Sequence, residues 1–245
     1  MKMKNRTYYR TMLLLGVLML NSCSSNSETE TKPVDSVLVK KIILTHSAND
    51  IETFTYKYDG NKIVSRKNDG GFVSNYTYTG NVITKIEELS DNKFQSSRDY
   101  TYVDGKVATL VLKTNYDGTD THSYTYNSNG TVSYKRTRSN GVNTGILTIV
   151  NGNIVKNEVF YNGSLSSTYT YEYDTKNNPF KNVLGFNLLL DTNEEMFSPN
   201  NMTQDGGGTP ALNYTFKYDA NGFPMERKLS DANYGSSHRL SQYFY

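Results

Sequence analysis

The stretch YTYVDGKV at residues 100–107 decides the fold, because versions of it recur along the chain. Each version has two aromatic residues separated by one other residue, then a turn rich in Asp, Asn and Gly, then a β-branched run. Further copies begin at Tyr56, Tyr76, Tyr124 and Phe216. Self-similarity at a fixed period is typical of repeat architectures. The pattern therefore predicts a chain built from copies of one unit.

The second aromatic residue of each copy gives the length of the unit. Successive markers lie 20, 24, 24, 23 and 24 residues apart; they are Tyr58, Tyr78, Tyr102, Tyr126, Ile149 and Tyr173. Side chains alternate across a strand, and Asn-Gly or Asp-Gly supplies the positive φ that tight hairpin turns require. A period near 24 residues therefore corresponds to one two-stranded hairpin. We predict an all-β meander of about 14–16 antiparallel strands that forms a strongly curved or barrel-like sheet.

One segment departs from the repeat. Between Tyr173 and the next marker, Tyr218, the spacing is 45 residues, which is close to two periods. We predict an insertion at 185–213 that contains a short helix within residues 186–197, with Asp191 or Thr192 near its cap and Glu194 and Glu195 in its first turn. The glycine run at 206–208 is expected to be a loop.

The N-terminal segment has the features of a targeting signal. A basic segment precedes nine residues, 12–20, that are apolar except for Gly16, which is too short to span a bilayer and is typical of a secretion signal. The following Leu-Asn-Ser-Cys23 resembles a bacterial lipobox, and Cys23 is the only cysteine. We predict a lipoprotein signal peptide at 1–22, a lipidated Cys23 with a flexible tether through residue 33, and a β domain at 34–245. The alternative is an ordinary signal peptide whose cysteine happens to lie near the cut.

Charge argues against nucleic acid as a partner. Removal of residues 1–22 takes away four of the 26 basic residues and leaves 22 against 24 acidic ones. Interspersed charge with a near-neutral sum gives no basic surface for phosphates. The predicted partners are the outer membrane, through the lipid anchor on its periplasmic or external side, and a glycan or protein ligand.

Three stretches carry a resemblance to a known family: YEYDTKNNPF at 171–180, SPNNM at 198–202 and YTFKYDANGFP at 214–224. They resemble a group of lipoproteins of Bacteroidota whose domain of unknown function has a porin-like, strongly curved antiparallel sheet. Single repeats are also similar to the tyrosine–aspartate (YD) repeats of Rhs-type toxin shells and teneurins. The resemblance covers about 34–245 and implies the fold, but no catalytic residues.

The sequence has no enzyme signature. The histidines are far apart in the chain, so we predict no metal site and no cofactor; they are His46, His122 and His238. Asp59 and Asp219 begin stretches similar to calcium loops, but neither has an acidic residue at position 12, so the turn interpretation is preferred. Adjacent Glu194 and Glu195 would point about 100° apart on a helix, so they would not act on one substrate as a carboxylate pair.

The tyrosine ladders are the remaining candidate site. They either stabilise one face of the sheet by cross-strand packing or offer a ligand platform. The candidate platform residues are Tyr76, Tyr78, Tyr100, Tyr102, Tyr124 and Tyr126.

We expect a non-catalytic binding or scaffolding lipoprotein of the cell envelope. One alternative is a polymer-acting hydrolase with a site near 185–213. Another is a membrane-spanning β-barrel, which the polar residues opposite the tyrosines (Lys57, Glu172 and Lys217) disfavour.

Overall fold

Sixteen strands form one closed barrel in the computed structural model, which describes residues 37–47, 49–190, 197–207, 211–230 and 240–245. The first eight are β1 (Lys41–Ser47), β2 (Asp50–Asp59), β3 (Lys62–Asn68), β4 (Phe72–Thr79), β5 (Val82–Ser90), β6 (Lys93–Val103), β7 (Lys106–Thr114) and β8 (Gly118–Tyr126). The second eight are β9 (Val132–Arg138), β10 (Gly141–Val150), β11 (Asn153–Tyr161), β12 (Ser164–Tyr173), β13 (Met202–Asp205), β14 (Leu212–Tyr218), β15 (Pro224–Ser230) and β16 (Leu240–Phe244).

The strands follow one another around the barrel in chain order. Each pairs antiparallel with the next, and β16 pairs with β1 to close the ring, with Ile42 opposite Tyr243. The all-β meander predicted from the repeat is confirmed, and the sheet takes the barrel form. Closure leaves no unpaired sheet edge, which an open sheet would expose to aggregation.

The predicted tight turns connect the hairpins at one end. Asp104 and Gly105 have φ values of 50° and 73°, and Asn151 and Gly152 have 51° and 82°. Two successive residues with positive φ are the requirement of a type I′ turn, whose twist matches that of the flanking strands.

Side chains alternate between the inside and the outside of the barrel. The tyrosine pairs face inward, and the residues between them face outward, as Thr101 does between Tyr100 and Tyr102. A barrel of 16 strands is too wide for its own inward side chains to fill, and barrels of this size contain a channel or an inserted segment.

An inserted segment fills one end of this barrel. The described residues of the segment that connects β12 to β13, 174–190 and 197–201, enter the lumen and bury five apolar side chains among the tyrosines: Phe180, Val183, Phe186, Leu189 and Phe197. We call the described residues of this segment the plug. The Leu184 amide donates to the Asn61 carbonyl at 2.9 Å, and Asn182 Nδ2 donates to the Val37 carbonyl at 3.0 Å. These bonds attach the plug to the barrel end at which β1 begins; we call this the plug end, and the opposite one the far end.

The plug overlaps the predicted insertion over 185–201. Its described part contains one 3₁₀ turn, Phe186–Leu188, where a longer helix was predicted. Gly185 precedes the turn with φ of 82°, and a Cβ there would lie 3.3 Å from the Asn81 carbonyl oxygen, so the close approach favours glycine. The later part of the predicted insertion forms β13, because residues 202–205 pair with β12, and the start of β14.

Several predicted features lie outside the described residues. These are the signal peptide at 1–22, Cys23 and its tether, the predicted helix cap with Glu194 and Glu195, and His238.

Candidate functional site: the luminal cavity

Three tyrosines at the second position of a repeat donate to a backbone carbonyl of the preceding hairpin. The hydroxyl of Tyr102 donates to the Ile83 carbonyl at 2.6 Å, and that of Tyr173 donates to the Ile154 carbonyl at 3.0 Å. Tyr245 makes the same bond to the Pro224 carbonyl at 2.9 Å. The rings pack in the core while their hydroxyls satisfy backbone groups, which is the usual arrangement of a buried tyrosine.

A β-bulge explains why these carbonyls need a partner. In the β4–β5 hairpin the register shifts after Thr77, so that Thr84 is an extra residue just after Ile83. The β10–β11 and β14–β15 hairpins shift at the equivalent place, just after Ile154 and Pro224. A bulge leaves backbone groups without ladder partners, and the tyrosine of the next repeat supplies one.

The repeat whose marker is not a tyrosine fits the same rule. The β8–β9 hairpin pairs Tyr126 with Val132 and has no register shift. The marker that follows this hairpin is Ile149. The hairpin without a bulge is therefore followed by a repeat without a tyrosine hydroxyl at its marker position.

Most of the six predicted platform tyrosines contact the plug or the barrel wall. Tyr78 donates to the Leu184 carbonyl of the plug at 3.0 Å, the Tyr76 ring lies 5.9 Å from Phe186, and Tyr100 is buried. Tyr102 binds Ile83 as described. Tyr126 lies under the ammonium of Lys106, which is 4.9 Å from its ring centroid.

Tyr124 alone among the six lines a second feature of the lumen, an open cavity. This cavity occupies about 660 Å³ of the lumen, between the plug and the far end. Leu190 and Met202 form part of its floor, while Asp205 and Gly207 lie toward the far end. Its walls carry aromatic and polar side chains from β6 to β14: Arg98, His122, Tyr124, Tyr134, Arg136, Asn143, Asn157, Tyr169, Tyr171 and Tyr214. The volume lies within the range of about 300–1,000 Å³ typical of small-ligand pockets.

Two carboxylates hold the cavity arginines in place. Arg98 Nη1 lies 3.1 Å from Glu88 Oε1, and Ser96 also donates to Glu88. Arg136 Nε donates to Asp120 Oδ2 at 2.6 Å. Charge-assisted bonds of this kind fix the guanidinium planes and offset their charge.

Two phenols of the cavity, those of Tyr134 and Tyr171, stay neutral at ordinary pH. Burial raises the pKa of Tyr134, and burial together with the nearby Asp205 carboxylate raises that of Tyr171. A neutral phenol both donates and accepts hydrogen bonds, so these side chains present polar groups without charge.

A smaller cavity of about 240 Å³ lies on the other side of the plug. It is lined by Phe180 of the plug and by residues of the first and last strands, among them Tyr56, Arg66 and Arg227. The plug forms part of its wall through Asn178, Pro179 and Phe180.

Tyr134, Tyr169 and Tyr171 line the cavity although they were not among the predicted site residues. A signal was present in Gly145, a glycine inside a predicted strand, because such a glycine often marks a close approach. In the structure a Cβ at position 145 would lie 2.2 Å from Tyr134 Cζ, so the ring occupies the space of the missing side chain.

Among the described residues, no group of three or more His, Cys, Asp or Glu side chains is arranged to hold a metal ion. Within the same residues, no helix has both the length and the apolar character needed to cross a membrane.

No protein-family model matches this chain, and no curated protein matches its sequence. Its fold is similar to that of a porin-like protein from Bacteroides uniformis known from a crystal structure. The two share 12% sequence identity with a TM-score of 0.50, over 84% of this chain and 97% of that one. At this identity the likeness shows a shared fold, and the porin-like sheet expected from the resemblance is confirmed.

Proposed function

We propose that the protein is a lipid-anchored, non-catalytic binding protein of the cell envelope that holds a small polar ligand in the lumen of its barrel. The observation that carries the proposal is the 660 Å³ cavity, because its aromatic and hydrogen-bonding side chains are fixed by the barrel and by partner carboxylates. Pre-positioned polar groups in a concave, largely aromatic site are the general mark of ligand pockets.

The first described residue indicates which end of the barrel would face the membrane if the proposed anchor is present. Residue 37 lies at the plug end, where its carbonyl accepts from Asn182. A tether leading from a lipidated Cys23 to this point would attach the barrel to the membrane by its plug end. The far end, toward which the large cavity lies, would then point away from the membrane and toward ligands.

A non-catalytic role is supported by the partners of the acidic side chains. Glu88 and Asp120 each bind an arginine of the cavity wall. In the described part of the plug the only carboxylate is Asp174, which accepts hydrogen bonds from Asn201 and Tyr218. An acid–base pair for polymer hydrolysis needs two carboxyl groups that share a substrate. The alternative hydrolase site near 185–213 also includes Glu194 and Glu195, which lie outside the described residues.

The proposal is tested by filling the cavity. Val159 faces the cavity from β11, and Val159→Trp would occupy much of it. Thr168→Trp on the exposed outer face of β12 is the matched control. We expect that members of a library of sugars, dipeptides and nucleosides raise the Tm of the wild type and of the control, but not of the Val159→Trp variant. Absence of any stabilising compound, or equal stabilisation of all three proteins, would contradict luminal binding.

A membrane-spanning barrel is the second candidate, favoured by the closed 16-strand ring and its likeness to a porin-like protein. The outer face of the barrel weighs against this candidate, because ion pairs lie on it in the middle of strands. Lys85 Nζ lies 2.7 Å from Glu87 Oε1, and Lys217 Nζ lies 2.6 Å from Glu226 Oε2. An outward lysine at the bilayer midplane costs about 2–4 kcal/mol. Conductance of purified residues 24–245 in a planar bilayer would favour the second candidate over the first.

A further inference from the structure

The ring of Tyr134 lies flat against the wall of the large cavity. It covers Gly145 on the neighbouring strand β10, where a Cβ would lie 2.2 Å from its Cζ atom. Its hydroxyl reaches across to β11 and donates to Asn157 Oδ1 at 3.0 Å. Because Gly145 removes the obstacle and Asn157 holds the tip, one face of the ring is turned to the wall and the other to the lumen.

Other flat groups continue this surface. The His122 ring lies 6.3 Å from Tyr134 with an angle of 21° between the planes. Tyr169 is directly opposite Asn157 in the β11–β12 pair, so it follows the tip of Tyr134 around the wall. We call Tyr134, His122 and Tyr169 the aromatic wall.

Hydrogen-bonding groups lie beside the aromatic wall, one step toward the far end. Tyr134 is opposite Gly145 in the sheet, and the next inward pair is Arg136 opposite Asn143. Both side chains line the cavity. Arg136 is held by Asp120, and Asn143 adds an amide that can donate and accept.

The charges around the cavity largely offset one another. Each arginine of the lining shares its carboxylate with a second arginine, since Glu88 also binds Arg66 and Asp120 also binds Arg138. With Asp205, three carboxylates face four guanidinium groups. A strongly anionic ligand would have to compete with these carboxylates for the guanidinium groups. The site therefore favours a neutral ligand with many hydroxyl groups and one apolar face.

A pyranose ring has this combination, since one face presents C–H groups and the rim carries hydroxyls. Polarised C–H groups are attracted to the negative face of an aromatic ring. We propose that the cavity binds a neutral saccharide, with one sugar ring stacked on Tyr134 and its hydroxyls bonded to Arg136 and Asn143. This inference rests on the proposed luminal binding function and names its ligand class.

The test measures binding of a defined panel by calorimetry to residues 24–245. The panel contains neutral sugars (glucose, galactose, mannose, N-acetylglucosamine and their disaccharides), glucuronic acid, dipeptides and nucleosides. We expect a neutral sugar to bind most tightly. Tyr134→Leu removes the aromatic face and should weaken its binding roughly tenfold, whereas Tyr134→Phe keeps the face and should stay within about threefold.

Two further variants keep the test independent of folding. Gly145→Ala adds a Cβ where the ring lies, so it should displace Tyr134 and weaken sugar binding although every aromatic residue is retained. Tyr116→Leu, at a tyrosine that is 83% exposed, is the matched control and should bind like the wild type. Circular dichroism and Tm of each variant confirm that it is folded before its binding is read.

The outcomes separate the two proposals. If a dipeptide or a nucleoside binds in a way that Val159→Trp abolishes and no neutral sugar does, the luminal site stands and the saccharide inference is wrong. Equal sugar affinity of Tyr134→Leu and wild type would also overturn the inference. If nothing in the panel binds, both proposals are contradicted.

Discussion

The hydroxyl of the second aromatic residue explains why this position of the repeat is usually tyrosine and not phenylalanine. The first ring packs in the core, as Tyr56 does at 5.2 Å from Phe180. In three repeats the second ring also donates to a carbonyl beside a bulge, as Tyr102 does to that of Ile83. An unsatisfied buried carbonyl costs about 1–3 kcal/mol, so the hydroxyl is under direct energetic constraint.

Removal of one such hydroxyl should be measurable. Tyr102→Phe keeps the ring but leaves the Ile83 carbonyl without its donor, and Ile83 is fully buried. We expect the free energy of unfolding to fall by about 1–3 kcal/mol in urea denaturation. The control is Tyr116→Phe, whose hydroxyl belongs to a largely exposed side chain and whose loss should change stability by less than about 0.5 kcal/mol. Equal effects of the two variants would contradict the bulge-capping role.

The buried phenols also predict an alkaline limit to stability. Burial raises the pKa of Tyr78 and Tyr102 to about 12, above the ordinary value of 10.0. The unfolded chain therefore loses these protons first as the pH rises. The free energy of unfolding should be constant with respect to these groups below about pH 10 and should fall between about pH 10 and 12. Urea denaturation across this range measures the slope, which should be shallower in Tyr102→Phe. A flat profile through pH 12 would show that the phenols are not held neutral by the fold.

At the scale of elements, the barrel and its plug depend on each other. Sixteen strands enclose more space than their inward side chains fill, and the plug supplies the missing apolar volume. Phe186 lies at its centre, 5.1 Å from Phe197 and 5.9 Å from both Tyr76 and Phe180.

Truncation of that central ring should therefore be costly. Phe186→Ala leaves a cavity at a side chain that is 2% exposed, and we expect a loss of about 3–5 kcal/mol in the free energy of unfolding. Asn187→Ala changes the exposed neighbour in the same 3₁₀ turn and should be nearly neutral. Chemical denaturation compares them. A loss below 1 kcal/mol for Phe186→Ala would mean that the barrel does not need the plug for its stability.

The strands and turns could be predicted from the sequence, but the plug could not, and the reason is physical. Strands and turns follow from local rules, as at Asp104-Gly105, so the meander could be predicted from the sequence. The plug depends on which distant residues surround Phe186, and periodicity carries no such information. The same limit applies to the site: Tyr124 was among the predicted platform residues, but the flat position of Tyr134 depends on Gly145 across the sheet.

For the whole molecule, the proposed anchor and the outward charges lead to one expectation. The barrel should be attached to the membrane by its lipid and not by its strands. In the full-length protein, Cys23→Ser should move the protein from the detergent-extracted membrane fraction to the soluble envelope fraction and abolish fatty-acid labelling, while the Tm of the barrel stays the same. Ser22→Ala keeps the cysteine and a small residue at the cut, so it should remain membrane-bound. A Cys23→Ser protein that still requires detergent would point to a barrel that spans the membrane.

The most direct test of luminal binding is a crystal structure of residues 24–245 with the panel compound that raises its Tm most. The account predicts that this compound lies in the cavity between the plug and the far end, against the face of Tyr134 and within hydrogen-bond distance of Arg136 or Asn143. The same compound bound on the outer surface, or a lumen closed by its own side chains, would contradict it.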